Sequence, residues 1–248
     1  MDRERLRNER QFHDRQASAR AETLQPHDYR FSDETYLQHA SWIAPAFARL
    51  GDVHGLRVLD LGCGHGMASV VLARHGASVV SCDLSPGYVR EARTRALANG
   101  VATQLLVCDG ERLPFADQTF ERIWGNAILH HLDVKRAARE IRRVLAPGGR
   151  AVFCEPWAGN RWLNLARRRL PYPGKQHTPD EYPLSRADLN QLREFFPNIT
   201  VRGHQLFAML SRITSHERLL SAGRWCDAFF LRRFPRWQHY CRYVVVVL

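Results

Sequence analysis

The chain has 248 residues, enough to bury a sizeable core as one large domain or as a domain with a cap. Its 45% apolar and 25% charged content is that of a soluble globular protein, and no apolar run approaches the roughly 18 residues of a transmembrane helix. The formal charge of +11 invites a nucleic-acid reading. However, every basic residue except Lys135 and Lys175 is Arg, and the arginines are spread along the chain rather than gathered in a block. A solvated basic surface is therefore expected, and nucleic acid is not the expected partner.

In chain order, "MDRERLRNERQF" is charged throughout and lacks the apolar stretch of a secretory leader, so a cytoplasmic address is expected. Residues 1–30 read as partly helical, and "SDETYLQHASWIAPAFARLG" (32–51) as one helix capped by Ser32, kinked at Pro45 and stopped at Gly51. The pattern then alternates. "RVLDL" (57–61) is a strand, followed by a helix over about 68–75. "SVVSCD" (78–83) is a second strand, followed by a helix from Pro86 to Asn99. "TQLLVCD" (103–109) and "FERIWGN" (120–126) are strands three and four. Asp133 caps the next helix, "PGG" (147–149) ends it, and "RAVFCE" (150–155) is strand five. Strands alternating with helices predict βαβ units and a parallel sheet with helices on both faces. Residues 156–184, rich in Pro, Gly, Arg and aromatics, read as an irregular insertion. "SRAD" (185–188) is a helix cap, and 198–210 with 239–248 form a final strand pair. The expected organisation is an N-terminal helical lid (1–50), a core (51–157), and an insertion that completes the same sheet (158–248).

Six cysteines in a chain of this kind are expected to be free thiols. None form a C-x-x-C pair, and no metal site is expected. Cys82, Cys108 and Cys154 each precede an acid at a strand end, where alternation along a strand sends the thiol away from the acid and into the helix packing.

Those strand ends carry the chemistry. Gly62, Gly64 and Gly66 follow the first strand as G-x-G-x-G, which lets the backbone turn sharply and approach a ligand closely. The spacing differs from the dinucleotide G-x-G-x-x-G. Asp60, just before the turn, would repel a pyrophosphate and suits an ammonium or sulfonium. Asp83 is placed to accept both hydroxyls of a ribose. Asp109 can accept from an adenine amine while the Gly110 N–H meets a ring nitrogen. Adenosine with a cationic tail and no phosphate describes S-adenosyl-L-methionine (SAM). Each acid also has a plainer use in capping or starting a turn.

On "VLDLGCGHG", "VVSCDLS", "CDGERLPFADQTFERI" and "LAPGGR", over about residues 50–157, the chain resembles the class I SAM-dependent methyltransferases, in particular the ubiquinone/menaquinone-type small-molecule enzymes. The resemblance implies a Rossmann-like fold: a seven-stranded, mostly parallel α/β sheet with its last strand antiparallel. It also implies Gly62, Gly64 and Gly66 at the methionine and ribose, Asp83 on the ribose, Leu84 on the adenine face, Asp109 and Gly110 at the base, and Asn126 near the methionine amino group. S-adenosyl-L-homocysteine would be the product.

Methyl transfer is an in-line displacement, so alignment and exclusion of water do much of the work, with a general base only for a poorly acidic or protonated acceptor. His130 and His131 after strand four are candidates for that base, and Glu155 for orienting a substrate amine or hydroxyl. "KQHTPDEYPL" offers His177, Glu181 and Tyr182 for substrate contact, and His13 belongs to the N-terminal lid. The basic, aromatic segment 216–237 is a helix packed on the core or roofing the pocket, with weak contact to an anionic membrane surface as the alternative. The aromatics here and in "EPWAGNRW" point to a small, apolar or aromatic acceptor methylated at O, N or C. The competing readings are a nucleic-acid methyltransferase and a noncatalytic binding protein of the same fold. The first lacks its usual signatures: there is no Asn/Asp-Pro-Pro-aromatic sequence and no Pro-Cys dipeptide.

Overall fold

A computed structural model describes residues 2–169, 182–209 and 216–248. Among them, seven strands form one sheet: β1 (Arg57–Leu61), β2 (Ser78–Asp83), β3 (Gln104–Val107), β4 (Phe120–Asn126), β5 (Leu145–Pro156), β6 (Thr200–His204) and β7 (Tyr243–Val247). Their order is β3-β2-β1-β4-β5-β7-β6. The first five are parallel to one another, and β7 runs antiparallel to both β5 and β6. The chain leaves β1 towards β2 on one side and returns to β4 on the other, which places a topological switch point, and the crevice beyond it, at the carboxyl ends of β1 and β4.

The central strands are apolar on both faces because helices cover both. Leu59, Leu61, Ile123, Phe153 and Val246 pack towards α6 (Val134–Val144) and α8 (Arg186–Phe195). Val58, Val79, Trp124, Val152 and Val245 pack towards α2 (Asp33–Leu37), α3 (Ile43–Leu50) and α4 (Met67–Arg74). The indole of the fully buried Trp124 donates to the Tyr36 hydroxyl at 3.1 Å, so the largest core side chain leaves no unpaired polar group. The caps are those the sequence offers. Ser85 Oγ accepts from the Tyr88 N–H at the start of α5 (Pro86–Ala98), Asp133 accepts from the Arg136 N–H on α6, and Ser185 and Asp188 form a capping box on α8.

The remaining helices are α1 (Asp2–Thr23), α7 (Arg161–Arg169) and α9 (Glu217–Arg233). Three expectations are corrected. Residues 32–51 form α2 and α3 rather than one kinked helix. Pro45 sits in the first turn of α3, where its missing N–H costs nothing. The "PGG" turn lies inside the long β5, with Gly148 at a φ of 72° and a register shift against β4. The insertion after β5 is not wholly irregular, because α7 lies in it. Of the two placements expected for segment 216–237, the structure shows the packed helix, since no described residue of α9 lines the crevice. This helix packs against residues 204–208 at the β6 edge, where Asp227 accepts from the N–H groups of Leu206 and Phe207 at 3.2 and 2.6 Å.

Among the described residues, no helix is long and apolar enough to cross a membrane. Many arginines act as internal brackets rather than as free charge. Arg143 donates to the carbonyls of Leu113 and Phe115 and pairs with Glu140 and Asp117, while the buried Arg95 bonds the His65 carbonyl and Glu91.

Candidate active site

A cavity of about 330 Å³ opens at the switch point, within the size range of small-ligand pockets. Its floor is the turn after β1. Gly62 and Gly64 have φ of 67° and 50°, a region glycine enters without a Cβ penalty. A Cβ on Gly62 would lie 2.6 Å from the Ile128 side chain, whereas one on Gly64 would meet nothing within 4 Å. Gly62 thus packs against the turn after β4, and Gly64 faces open space in the cavity.

Asp83, at the end of β2, is held from both sides. The Gly64 N–H donates to Oδ2 and the Ser85 N–H to Oδ1, each at 2.9 Å. Each carboxylate oxygen keeps a second acceptor position. Burial raises the Asp83 pKa, against the backbone N–H groups of Ser85 and Gly64 and the nearby His13 and His131, which favour the charged form. Leu84, Asp109, Gly110 and Leu132 continue this wall, and the Glu111 N–H fixes Asp109 Oδ1 at 2.9 Å.

The opposite wall is the turn after β4, containing Asn126, Ala127 and Ile128. Ala127 has a φ of 59°, a conformation a residue with a side chain holds only when its surroundings impose it. Glu155 imposes it. Fully buried at the end of β5, its Oε1 accepts from the N–H groups of Ile128 and Leu129 at 3.0 and 2.8 Å, and its Oε2 meets His130 Nδ1 at 2.7 Å. Both oxygens are engaged, and neither Glu155 nor His130 lines the cavity. This corrects the expectation that Glu155 orients a substrate and His130 acts as a base: the pair shapes the turn that presents His131.

The mouth is crossed by α1, docked on α5 and on the turn after β4. Asp14 accepts from Ser85 Oγ at 2.6 Å and from the Gly87 N–H at 2.9 Å, and Arg20 bonds Glu91 at 2.9 and 3.2 Å. Arg5 donates to the His131 carbonyl at 2.6 Å and pairs with Glu111. This docking turns Leu6, Glu9 and His13 into the cavity. Glu9 Oε2 lies 3.3 Å from His13 Nε2 and 3.3 Å from His131 Nδ1. Burial works to lower the His13 pKa, but the hydrogen bond to Glu9 and the charges of Asp83 and Glu9 outweigh it and leave it raised. His65, also in the lining, goes the other way: burial and the Arg20 and Arg95 charges lower its pKa to about 4, so it is neutral.

The structure thus gathers Gly62, Gly64, Asp83, Leu84, Asp109, Gly110, Asn126, His13 and His131 around one cavity. Asp60 and Gly66 stand outside its lining. Asp60 is 2% exposed, accepts from Ser69 Oγ at 2.5 Å, and is pushed up to about 7 by burial. Gly66 begins α4, where a Cβ would lie 2.6 Å from the Ala92 Cβ, so its role is to let α4 and α5 meet. Tyr182 is 62% exposed and does not line the cavity. His177 and Glu181 lie outside the described residues. Cys82 and Cys108 contribute to the cavity wall as well as to the packing, and the hydrogen bond with Cys108, then burial, keep Cys82 protonated. Glu9, Leu6, Tyr88 and His65 were not expected. For Glu9 the sequence did hold a signal: E-x-x-x-H places both side chains on one helix face.

Residues 59–153 match the family described as methyltransferase domain. The segment is 36% identical over 134 residues to malonyl-[acyl-carrier protein] O-methyltransferase of Herminiimonas arsenicoxydans, covering 50% of this chain and 49% of that one. It is 37% identical over 156 residues to the ubiquinone/menaquinone biosynthesis C-methyltransferase of Bordetella avium, covering 58% and 59%. The chain spans about half the length of the curated relatives it matches. The fold extends beyond the matched methyltransferase domain. A SAM-dependent methyltransferase from Mesorhizobium loti superimposes with a TM-score of 0.59 at 20% identity, over 85% of this chain and 98% of that one. The expected Rossmann-like methyltransferase architecture is therefore met.

Proposed function

We propose that the chain transfers a methyl group from SAM to a small, apolar or aromatic metabolite. The observation that carries this reading is the convergence of Gly64, Asp83 and Asp109 on one cavity at the switch point, inside a methyltransferase domain. The residues fit the cofactor. Gly64 leaves open space where any other residue would place a Cβ. Asp83 keeps one acceptor position on each oxygen for a ribose diol, Leu84 and Leu132 offer apolar faces to a base, and Asp109 with Gly110 presents an acceptor and a donor. When bound, SAM supplies a methyl group already activated on sulfur.

What remains for the protein is to align the acceptor and exclude water. Leu6, Ile128, Leu132 and Tyr88 make much of the remaining wall apolar, which suits a hydrophobic acceptor held under α1. His131 is the lining histidine on the turn after β4, with its ring beside Glu9, and is the group placed to receive a proton from an acceptor hydroxyl or amine. The two relatives named above are an O- and a C-methyltransferase, so kinship leaves the acceptor atom open.

The test is to incubate purified protein and methyl-tritiated SAM with a fractionated host extract. Label in an organic-soluble, nuclease-resistant fraction is the expected outcome. Label in nucleic acid would replace the small-molecule reading, and an absence of SAM binding by calorimetry would end it.

A further inference from the structure

We infer that Glu9, His13 and His131 form a binding site for one divalent transition-metal cation of the zinc class at the mouth of the cavity. The three candidate ligand atoms, one carboxylate oxygen and two imidazole nitrogens, lie within 4.8 Å of one another. Glu9 Oε2 stands 3.3 Å from each nitrogen. Two donors bound tetrahedrally at about 2.0–2.1 Å from zinc are separated by about 3.4 Å, so both carboxylate–imidazole spacings match a common centre and the two nitrogens, within 4.8 Å of each other, need to close by only a little.

Hydrogen bonding around the cluster supports the assignment. The Gln16 carbonyl oxygen accepts from the Tyr88 hydroxyl at 3.0 Å and faces His13 Nδ1 at 3.3 Å. An oxygen there calls for Nδ1 to carry the proton, which leaves the Nε2 lone pair directed at the Glu9 carboxylate. Two acceptor atoms facing each other at 3.3 Å need a positive charge between them, either a metal ion or an added proton. On the other side His131 Nδ1 is buried, and although it lies 3.3 Å from the same carboxylate oxygen it makes no hydrogen bond. A single cation would satisfy both contacts at once. The second-partner pattern, in which a ligand histidine gives its other N–H to an acceptor, is the one that orients metal-bound imidazoles.

Placement gives the site a use. Glu9 and His13 are one turn apart on α1, and His131 comes from the turn after β4, so a cation would pin α1 across the cavity. Three protein ligands leave at least one coordination position open, and all three residues line the cavity. If the methyl-transfer reading of this cavity holds, on which this step rests, an acceptor bearing an oxygen donor would bind the cation directly. The metal would favour its deprotonated form, selecting hydroxyl-bearing acceptors.

The test uses tag-free, metal-stripped full-length protein titrated with Co(II) alone and read by its visible ligand-field absorption. One equivalent should bind and be displaced by Zn(II). Glu9→Gln and His13→Gln should each weaken binding at least about tenfold, since even second-partner losses cost that much, while His54→Gln, an exposed histidine outside the cluster, should not. Thermal unfolding midpoints close to wild type would establish that the variants fold. Absence of ligand-field bands, or bands unchanged in both cluster variants, would overturn the proposal and assign the cluster to a shared proton. SAM calorimetry on the same samples separates the two readings: SAM bound without Co(II) removes only the metal site, and Co(II) bound without SAM removes only the methyl-transfer assignment.

Discussion

On the cofactor side of the cavity, Gly62, Gly64, Asp83 and Asp109 hang from the ends of β1, β2 and β3, and backbone N–H groups hold the acids in place. On the other side, Glu9 and His13 arrive on α1, a helix tied to the body by side-chain brackets. One of these brackets, Arg5 to the His131 carbonyl, joins residues 126 apart in sequence. One wall follows from the sheet, and the other depends on long-range docking. Changes on the first wall should disturb the whole fold or the cofactor, and changes on the second only the acceptor.

The largest effect should come from the sheet side. Gly66 has a φ of 81°, and a Cβ there would lie 2.6 Å from the Ala92 Cβ and 2.8 Å from its Cα. Gly66→Val adds left-handed backbone strain to overpacking, together about 4 kcal/mol of stability, measurable by urea unfolding. A loss under about 1 kcal/mol would mean that α5 gives way freely and that packing does not hold the glycine turn. Next is Glu155→Ala, which removes the acceptor of two backbone N–H groups and one contact of His130 in a sealed site. It should cost about 3 kcal/mol, and Glu155→Gln less, because an amide oxygen can still accept from the two backbone groups. Equal losses in the two variants would show that charge, not hydrogen bonding, holds the turn.

This contrast also explains what could be read from the sequence. β1, β2 and β4 were legible to the residue, the first two because an apolar run, an acid and a turn glycine or helix cap stand side by side, and the site acids on β2 and after β3 follow from the same local grammar. Glu155 was legible as a strand-end acid but not as a buried bracket, since whether such an acid faces the cavity or the turn beneath it is decided by the strand next door. The docking of α1 was less legible still. Its charged sequence looks like solvated surface until α5 and its cap supply Ser85, Tyr88 and Glu91 as partners. The lining role of Glu9 was missed for the same reason: its partner His131 lies on an element the helix pattern cannot announce.

The cofactor side is sharpened by Asp83→Ala. Removing a charged acceptor should weaken SAM binding by about 1–3 kcal/mol by calorimetry, and His131→Ala should weaken it less. The reverse order would mean that the ribose does not lie on Asp83 and that the acceptor side holds the cofactor.

The finest test concerns Asp60, which separates the glycine turn's structural support from its ligand face. In the unfolded chain its carboxyl ionises near the ordinary value of about 3.9, whereas burial beside Ser69 and Ser81 holds the proton to about 7 in the folded protein. Between these values the unfolded state has released a proton that the native state retains, so stability falls as pH rises and levels off above about 7. From pH 6 to 7 the decline attributable to this group should be about 1 kcal/mol. Asp60→Asn has nothing to ionise there and should flatten the slope of unfolding free energy against pH over that interval, whatever it does to the baseline. An unchanged slope would mean that Asp60 is ionised in the folded protein at pH 6. Its charge would then be available to the cavity through the turn, and the division between a structural back and a ligand-facing front would fail at this residue.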